Sequence, residues 1–339
     1  MDKGIYINSL KQISAQQPLA DDWFEQPVLY TEPYVRAIEP DYKQFFTPNE
    51  SRRLGKILKR ALLTSRQVMS ESGVSQPDAI ITGTGLGCIE STEIFLDRLI
   101  REGEELLNPT HFMQSTHNTV SSLVAIDSKC HNYNTTYAHK GISFECALQD
   151  AFIQLKNNKI QTALVGAHDE LTPAYFFLLQ KAGYLGKPNQ TFASETAVAM
   201  MLSTEKSEQA LCKIEAVEKI YCDMRLSDMR CPTVGNRISE IGNPDFIMVG
   251  TNGVEKNDKV YIENCAKLFP GVPLLQYKNI FGEGYTVPAF GIYAAAVCLQ
   301  KGKVPEHLFL NKEQDTKQCN KILCYNFEGK NHTFVLLSK

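Results

Sequence analysis

Hydrophobic residues recur along this chain in two patterns, one typical of β-strands and one typical of α-helices. The β-branched stretch "DAIITGTGLG" (78–87) predicts a buried strand that ends in a glycine bend, and "TAVAMMLST" (196–204) predicts a strand with apolar side chains on both faces. Before them, "RLGKILKRALLTSRQVMSESG" (53–73) carries apolar residues at helical spacing and closes at Gly73. This alternation predicts an α/β protein whose central sheets are covered by helices.

The second part of the chain shows the same alternation of predicted strands and helices. Strands are predicted in "CKIEAVEKIYCDM" (212–224) and "DFIMVGTNG" (245–253), helices in "NDKVYIENCAKLF" (257–269) and "AFGIYAAAVCLQKG" (289–302), and a closing hairpin in "KILCYNFEG" with "HTFVLLSK". The two parts share an order of elements without a clear residue repeat. The polar segment "EKSEQA" (205–210) marks the predicted boundary, so we expect one half over residues 1–205 and another over residues 206–339.

Composition narrows the class of protein. The 339 residues are 43% hydrophobic and 22% charged, as in ordinary globular proteins, and the formal net charge of -3 gives no basic footprint for nucleic acid. No apolar run approaches the roughly 18 residues of a membrane span, and "MDKGIYINSL" lacks the apolar core of a signal peptide. We therefore expect a cytoplasmic protein with no membrane span and no nucleic-acid partner.

Three local features invite other functions. The ten cysteines include no C-x-x-C pair and no zinc-spaced cluster with histidine, so we expect reduced core thiols and no metal. "GTGLG" (83–87) follows a strand but is not G-x-G-x-x-G, which favours a simple bend over a nucleotide site. His117, and His168 beside Asp169, could suggest acid/base catalysis, but the sequence contains no G-x-S-x-G motif that would supply a serine nucleophile. We expect both histidines to be hydrogen-bonded at strand ends or in an interface.

Several stretches, taken in order over nearly the whole chain, carry a family resemblance. They are "DAIITGTGLG", "FMQSTHNTVSSLVAI", "GISFECALQDAFIQLKNNKIQTALVGAHDE", "LTPAYFFLLQKAGYLGK", "VGTNGVEKND", "KNIFGEGYTVPAFGIYAAAVCLQKGKVPEHL" and "NFEGKNHTFVLL". Together they resemble the β-ketoacyl synthases, condensing enzymes of the thiolase fold. The resemblance implies an α/β, thiolase-like fold in which two pseudo-duplicated halves form a layered α-β-α-β-α sandwich.

In such a synthase a cysteine at a helix N-terminus takes the acyl chain from a carrier-protein thioester, because the helix dipole favours the thiolate. Counted back from Ala147, Leu148 and Ala151, which match the family's helix pattern, the position of that cysteine is Gly141. Glycine has no side chain to acylate. Cys146 lies more than a turn further into the helix; we expect a core thiol there, and a displaced nucleophile is the alternative.

Two histidines of the family polarise the malonyl thioester and stabilise the enolate. The first position falls on Val249 or Gly250, depending on one gap, and neither side chain donates a hydrogen bond. At the second, "KNIFGE" retains Lys278 but has Glu283 where the histidine belongs. A carboxylate opposes a developing enolate unless it is protonated. All three catalytic positions are therefore degenerate.

Other matched residues are mostly architectural, although Lys278, Thr251 and Asn331 are candidates to bind a substrate arm. The resemblance implies no cofactor of the protein's own. It implies instead that substrate arrives on the phosphopantetheine arm of an acyl carrier protein.

Two functional hypotheses remain from different classes. The first is a non-catalytic subunit of the chain-length-factor type, in fatty acid, polyketide or aryl-polyene-type biosynthesis. It would form a homodimer alone, or a heterodimer with an active synthase, through the predicted edge strand Asn134–Ala138. The alternative is an enzyme that uses the same fold to decarboxylate an acyl thioester, or to condense one through a displaced nucleophile.

Overall fold

A computed structural model describes residues 4–104, 107, 109–222, 243–311 and 318–339. The strands are β1 (Ile5–Ile13), β2 (Ala79–Gly83), β3 (Tyr133–Tyr137), β4 (Thr162–Asp169), β5 (Thr196–Ser203), β6 (Cys212–Tyr221), β7 (Phe246–Val249), β8 (Leu274–Gln276), β9 (Lys321–Glu328) and β10 (Asn331–Ser338). The helices are α1 (Pro48–Arg52), α2 (Lys56–Ser72), α3 (Ile89–Glu102), α4 (Pro109–Gln114), α5 (Thr119–Asp127), α6 (Ser143–Lys156), α7 (Pro173–Lys181), α8 (Glu255–Leu268), α9 (Lys278–Phe281) and α10 (Pro288–Lys301).

The strands form one sheet in the order β3-β2-β4-β5-β1-β6-β10-β9-β7-β8. Outward from the β1–β6 contact, the order β1, β5, β4, β2, β3 corresponds to β6, β10, β9, β7, β8. On each side the first two pairings are antiparallel and the next two are parallel. The same five-strand arrangement therefore occurs twice, as expected for pseudo-duplicated halves. The predicted boundary between residues 205 and 206 falls in the link between β5 and β6.

Strand residues alternate between a central core and two outer cores, because successive side chains point to opposite faces of a sheet. In β5, Val198 and Met200 belong to the central core, whereas Ala199 and Met201 belong to an outer core. The central core also contains the buried faces of α6 and α10, so these two helices lie between the half-sheets. Helices α2 and α5 cover the first half-sheet and α8 covers the second. The result is the predicted five-layer α-β-α-β-α arrangement.

Most of the predicted elements are present. Helices α2 and α10 end at Gly73 and Gly302, both with φ of 70°, the left-handed conformation that glycine adopts without strain. The closing hairpin is formed by β9 and β10. The last two residues of the strand predicted over 212–224 lie outside the described residues. Within the described residues, no helix combines the length and apolar character needed to cross a membrane.

Candidate functional site

The chain passes from β3 to α6 through a tight turn, Lys140–Ile142. Ser143 holds this turn together: its hydroxyl accepts a hydrogen bond from the His139 N–H (2.8 Å) and donates one to the Lys140 carbonyl (2.7 Å). The left-handed conformation falls on Lys140, with φ of 51°, and not on Gly141. The backbone of the turn therefore does not require glycine at position 141.

The space beside Gly141 is taken by Glu328, the last residue of β9. A Cβ atom built on Gly141 would lie 2.8 Å from Glu328 Oε2 and 3.0 Å from its Cδ, so the glutamate would have to shift before a cysteine could fit. Sequence reasoning missed this residue. The available signal was the stretch "NFEGKN", which has a charged residue where the family's closing "GFGGTN" pattern has glycine.

Gly141 lies on the wall of a pocket of about 310 Å³. Gly250, Lys278 and Glu283 line the same pocket, so the structure brings four of the predicted positions together. They come from separate elements, because Gly141 precedes α6, Gly250 follows β7, and Lys278 begins α9. Val249, the alternative to Gly250, instead belongs to the outer core of the second half.

Tyr261 and Asn326 occupy the space that a side chain at position 250 would need. A Cβ atom built on Gly250 would lie 2.6 Å from the Tyr261 hydroxyl oxygen and 3.1 Å from Asn326 Oδ1. The hydroxyl is fixed there, because it donates to Asn326 Oδ1 (3.0 Å) and accepts from the Phe327 N–H (3.2 Å). A side chain at position 250 would displace this buried network.

Glu283 is the residue predicted at the second histidine position, and both oxygens of its carboxylate accept hydrogen bonds. Lys278 Nζ donates to both carboxylate oxygens at 3.0 Å, while Asn252 Nδ2 and the Gly284 N–H donate at 2.7 and 3.0 Å. The side chains of Lys278 and Glu283 are only 8% and 12% exposed. Because its oxygens accept these four hydrogen bonds, the side chain offers acceptors and not donors, so it does not stabilise negative charge that develops on a substrate oxygen.

A comparison with protein families identifies the family of the chain. The family model described as "Beta-ketoacyl synthase, N-terminal domain" matches residues 29–240, more than half of the chain. The chain belongs to the β-ketoacyl synthase family. A search of curated proteins gives no significant match.

Several solved structures with the same fold align with this chain over essentially its whole length. The ishigamide ketosynthase/chain length factor has a TM-score of 0.79 at 14% identity, with 100% of each chain covered. A ketosynthase (ApeO) in complex with its chain length factor (ApeC), from Xenorhabdus doucetiae, has a TM-score of 0.78 at 13% identity, with 99% and 98% covered. The AntDE:AntF complex, a type II PKS acyl-carrier protein with its ketosynthase, has a TM-score of 0.77 at 12% identity, with 100% and 99% covered. These likenesses establish the thiolase-like fold.

Beneath the synthase-family pocket lies a second buried carboxyl, Glu145, in the first turn of α6. Asn326 Nδ2 donates to its Oε1, and its Oε2 has no partner among the described residues. Burial raises the pKa of Glu145 to about 7, with a smaller contribution in the same direction from Glu328, while Lys278 opposes the shift. Sequence reasoning missed this residue as well, since nothing local distinguishes it from a surface glutamate at a helix start.

Asp169, at the end of β4, organises the glycine bend. Its carboxylate accepts hydrogen bonds from the Gly85 and Leu86 N–H groups and from the hydroxyls of Thr84 and Thr286, at 2.7 to 3.1 Å. Burial nevertheless raises its pKa. The N–H groups of Gly85 and Leu86 in the bend therefore donate to a carboxylate of the same chain, in agreement with the prediction of a simple bend.

The two histidines singled out in the sequence do not behave alike. His168 is buried, and burial lowers its pKa to about 3, so the ring is uncharged. Neither ring nitrogen has a hydrogen-bond partner within the described chain, which makes the expected hydrogen bonding wrong for this residue. His117 is exposed near the bend, beside Gly87.

The remaining candidate residues lie apart from the pocket wall. Cys146 is buried in α6, where its Sγ accepts a hydrogen bond from Lys219 Nζ at 3.2 Å. Thr251 is buried next to Gly250, and its hydroxyl has no partner among the described residues. Asn331 begins β10 on the other side of the hairpin turn. None of the three is among the residues that line the pocket in the described structure.

Proposed function

We propose that this β-ketoacyl synthase family member is a non-catalytic subunit of the chain-length-factor type, which pairs with an active synthase in the cytoplasm. The observation that carries the proposal is the filling of all three catalytic positions. Glu328 occupies the space beside Gly141, the Tyr261 hydroxyl occupies the space beside Gly250, and Glu283 is locked to Lys278.

The chemistry of condensation explains why this filling matters. Acyl transfer needs a thiolate, and the intermediate needs hydrogen-bond donors aimed at the oxygen where negative charge develops. Here the corresponding space is lined by two carboxylates, Glu283 and Glu328. Negative side chains raise the energy of an enolate. Restoring a single catalytic residue would therefore not restore the reaction.

A surface suited to a partner lies next to this site. Strand β3 ends the sheet, and among the described strands it pairs only with β2. Tyr133 of this strand and Ile126 of α5, which packs against it, are exposed, and α3 and α4 expose further large apolar side chains, namely Leu96, Ile100, Phe112 and Met113. An unpaired strand edge beside exposed apolar groups is typical of a protein–protein interface. Two of the similar solved structures are named for a ketosynthase with a chain length factor, which supports an active synthase as the partner.

The proposed pathway follows from the same comparisons. One similar structure contains an acyl-carrier protein with its ketosynthase. We therefore infer that the partner complex receives substrates on the phosphopantetheine arm of an acyl carrier protein, in fatty acid, polyketide or aryl-polyene-type biosynthesis. The pocket of about 310 Å³ has room for the end of such an arm.

The test combines co-purification with acylation. The chain is co-expressed with an active synthase encoded beside it, and each protein is also incubated alone with acyl-loaded carrier protein and analysed by mass spectrometry. We expect a stable complex, an acyl adduct on the partner, and none on any cysteine of this chain, Cys146 included. An adduct on this chain, or condensation by this chain alone, would favour the alternative enzyme and overturn the proposal.

A further inference from the structure

The pocket carries an excess of negative charge. Its described lining contains four carboxylates, of Asp169, Glu170, Glu283 and Glu328, and two ammonium groups, of Lys187 and Lys278. Lys278 and Glu283 neutralise each other at 3.0 Å. Three carboxylates then remain against a single lysine.

The positions of these groups increase the imbalance. Asp169 and Glu170 are each only 4% exposed, whereas Glu328 and Lys187 are both exposed. Water screens an exposed ammonium far more than a buried carboxylate. Burial, followed by the nearby charges of Glu90 and Glu195, raises the pKa of Glu170 to about 7, and burial together with Glu283 raises the pKa of Glu328. Burial is the main cause of both shifts, and positive charges oppose them, from Arg60 at Glu170 and from Lys278 and Lys140 at Glu328.

The rest of the wall is suited to an uncharged ligand. Four leucines line the pocket, namely Leu86, Leu171, Leu179 and Leu185. Ser194 also lines it, is 3% exposed, and its hydroxyl has no hydrogen-bond partner among the described residues. Buried hydroxyls are normally hydrogen-bonded. An unpartnered hydroxyl on a pocket wall therefore points to a ligand oxygen as its partner.

We propose that this pocket binds acyl thioesters that carry no charge, with the Ser194 hydroxyl donating to a ligand oxygen, and excludes acyl groups that carry a carboxylate. The exclusion arises because such a carboxylate would lose its hydration beside Asp169, Glu170 and Glu328. The inference rests on the proposed function only in taking an acyl thioester as the ligand.

The test uses two probes of the same length. Hexanoyl-N-acetylcysteamine is uncharged, and the adipoyl monothioester of N-acetylcysteamine has six acyl carbons and a terminal carboxylate. Both are titrated into the full chain by isothermal calorimetry at pH 8 and low salt, where Glu170 is mostly ionised. We expect the hexanoyl probe to bind at least about tenfold more tightly, and the difference to shrink at high salt.

Two variants assign the effect to residues. Glu328→Gln removes one negative charge, so we expect the ratio of adipoyl to hexanoyl affinity to rise at least about threefold. Ser194→Ala removes only the hydroxyl, so we expect both probes to weaken by about five-fold, the usual worth of one hydrogen bond. Glu208→Gln, a matched loss of charge in the exposed β5–β6 link, should change neither affinity.

Equal affinity for the two probes, or no binding of either, overturns the inference. Discrimination that Glu328→Gln leaves unchanged removes that residue from the argument and contradicts the assignment of charge as its cause. These failures are distinct from failure of the proposed function. The latter would appear as an acyl adduct or as loss of the partner complex, whatever the pocket selects.

Discussion

At the scale of single residues, Gly141 and Glu328 share one small space. Glycine at position 141 leaves room for the glutamate, and the glutamate leaves no room for a Cβ atom, which would lie 2.8 Å from its Oε2. Since the left-handed φ is at Lys140, the backbone would accept alanine at position 141. The two side-chain identities are therefore coupled through packing alone.

A double-mutant cycle measures this coupling. Gly141→Ala should destabilise the chain by about 1 to 3 kcal/mol, because the added methyl group overpacks the site. Glu328→Ala by itself should change the free energy of unfolding little, because the Glu328 side chain is exposed and water can take its place. The double variant should recover about 1 kcal/mol or more of the loss in urea denaturation. Strictly additive effects would mean that the glutamate side chain does not occupy this space.

At the scale of elements, helix α6 and strand β9 meet through buried polar groups. Asn326 of β9 donates to Glu145 and to the Gly141 carbonyl, which ties the strand to the first turn of the helix. The Glu145 carboxyl faces Lys278 and Glu328 but forms an ion pair with neither. Its pKa of about 7 compares with an ordinary value of 4.5. Near neutral pH, therefore, the contact between the two elements contains a Glu145 carboxyl that is partly protonated.

This contact predicts a dependence of stability on pH. Below about 4.5 both folded and unfolded chains hold the proton; between 4.5 and 7 only the folded chain does, so the free energy of unfolding falls as pH rises. The free energy of unfolding falls by roughly 1.4 kcal/mol for each pH unit that separates the folded pKa from the unfolded pKa. Glu145→Gln keeps an acceptor for Asn326 and should be more stable than the wild type at pH 8, with no such gain at pH 4.

Urea denaturation at the two pH values, with Glu208→Gln as the control for an exposed carboxyl, checks this expectation. If wild type and Glu145→Gln differed by the same amount at both pH values, the carboxyl would not be protonated in the folded chain.

At the scale of the whole molecule, β3 is the edge strand of the first half-sheet among the strands that the structure describes. The Tyr137 carbonyl accepts from the Thr84 N–H, so alternate residues of β3 direct their backbone groups toward β2. The backbone groups of Asn134 and Thr136 then point outward. This edge and the apolar side chains beside it are the proposed dimer surface.

Asn134→Pro tests this surface, because it removes one outward N–H that a second strand would use and leaves the pairing to β2 in place. We expect it to shift the dimer toward monomer by at least about tenfold in dissociation constant, measured by analytical ultracentrifugation. Asn134→Ala also loses the side-chain bond to the Ser121 carbonyl but keeps the backbone donor, so it should remain dimeric. Equal behaviour of the two variants would exclude strand pairing at this edge.

Much of the fold was predictable, because its signals are local. Helix α2 with Gly73, helix α10 with Gly302, and the β9–β10 hairpin are each specified by side-chain period and by a turn residue within a few positions. The family resemblance indicated Gly141, Glu283 and either Val249 or Gly250 for the same reason, since each lies in a short recognisable stretch. Glu145 and Tyr261 have no local signal and were missed, and Glu328 was missed although "NFEGKN" carries a charged residue where the family pattern has glycine.

By itself, therefore, the sequence determined most of the elements and their similar order in the two halves, and it predicted which positions lack the three catalytic side chains. Only the tertiary structure decided what fills their places. Asn326 and Gly141 are separated by 185 positions, yet the strand and the turn meet there. It also decided that Gly250 lines the pocket whereas Val249 belongs to a core. The physical reason is that periodicity is a property of neighbouring residues, whereas the occupancy of a space depends on every element packed around it.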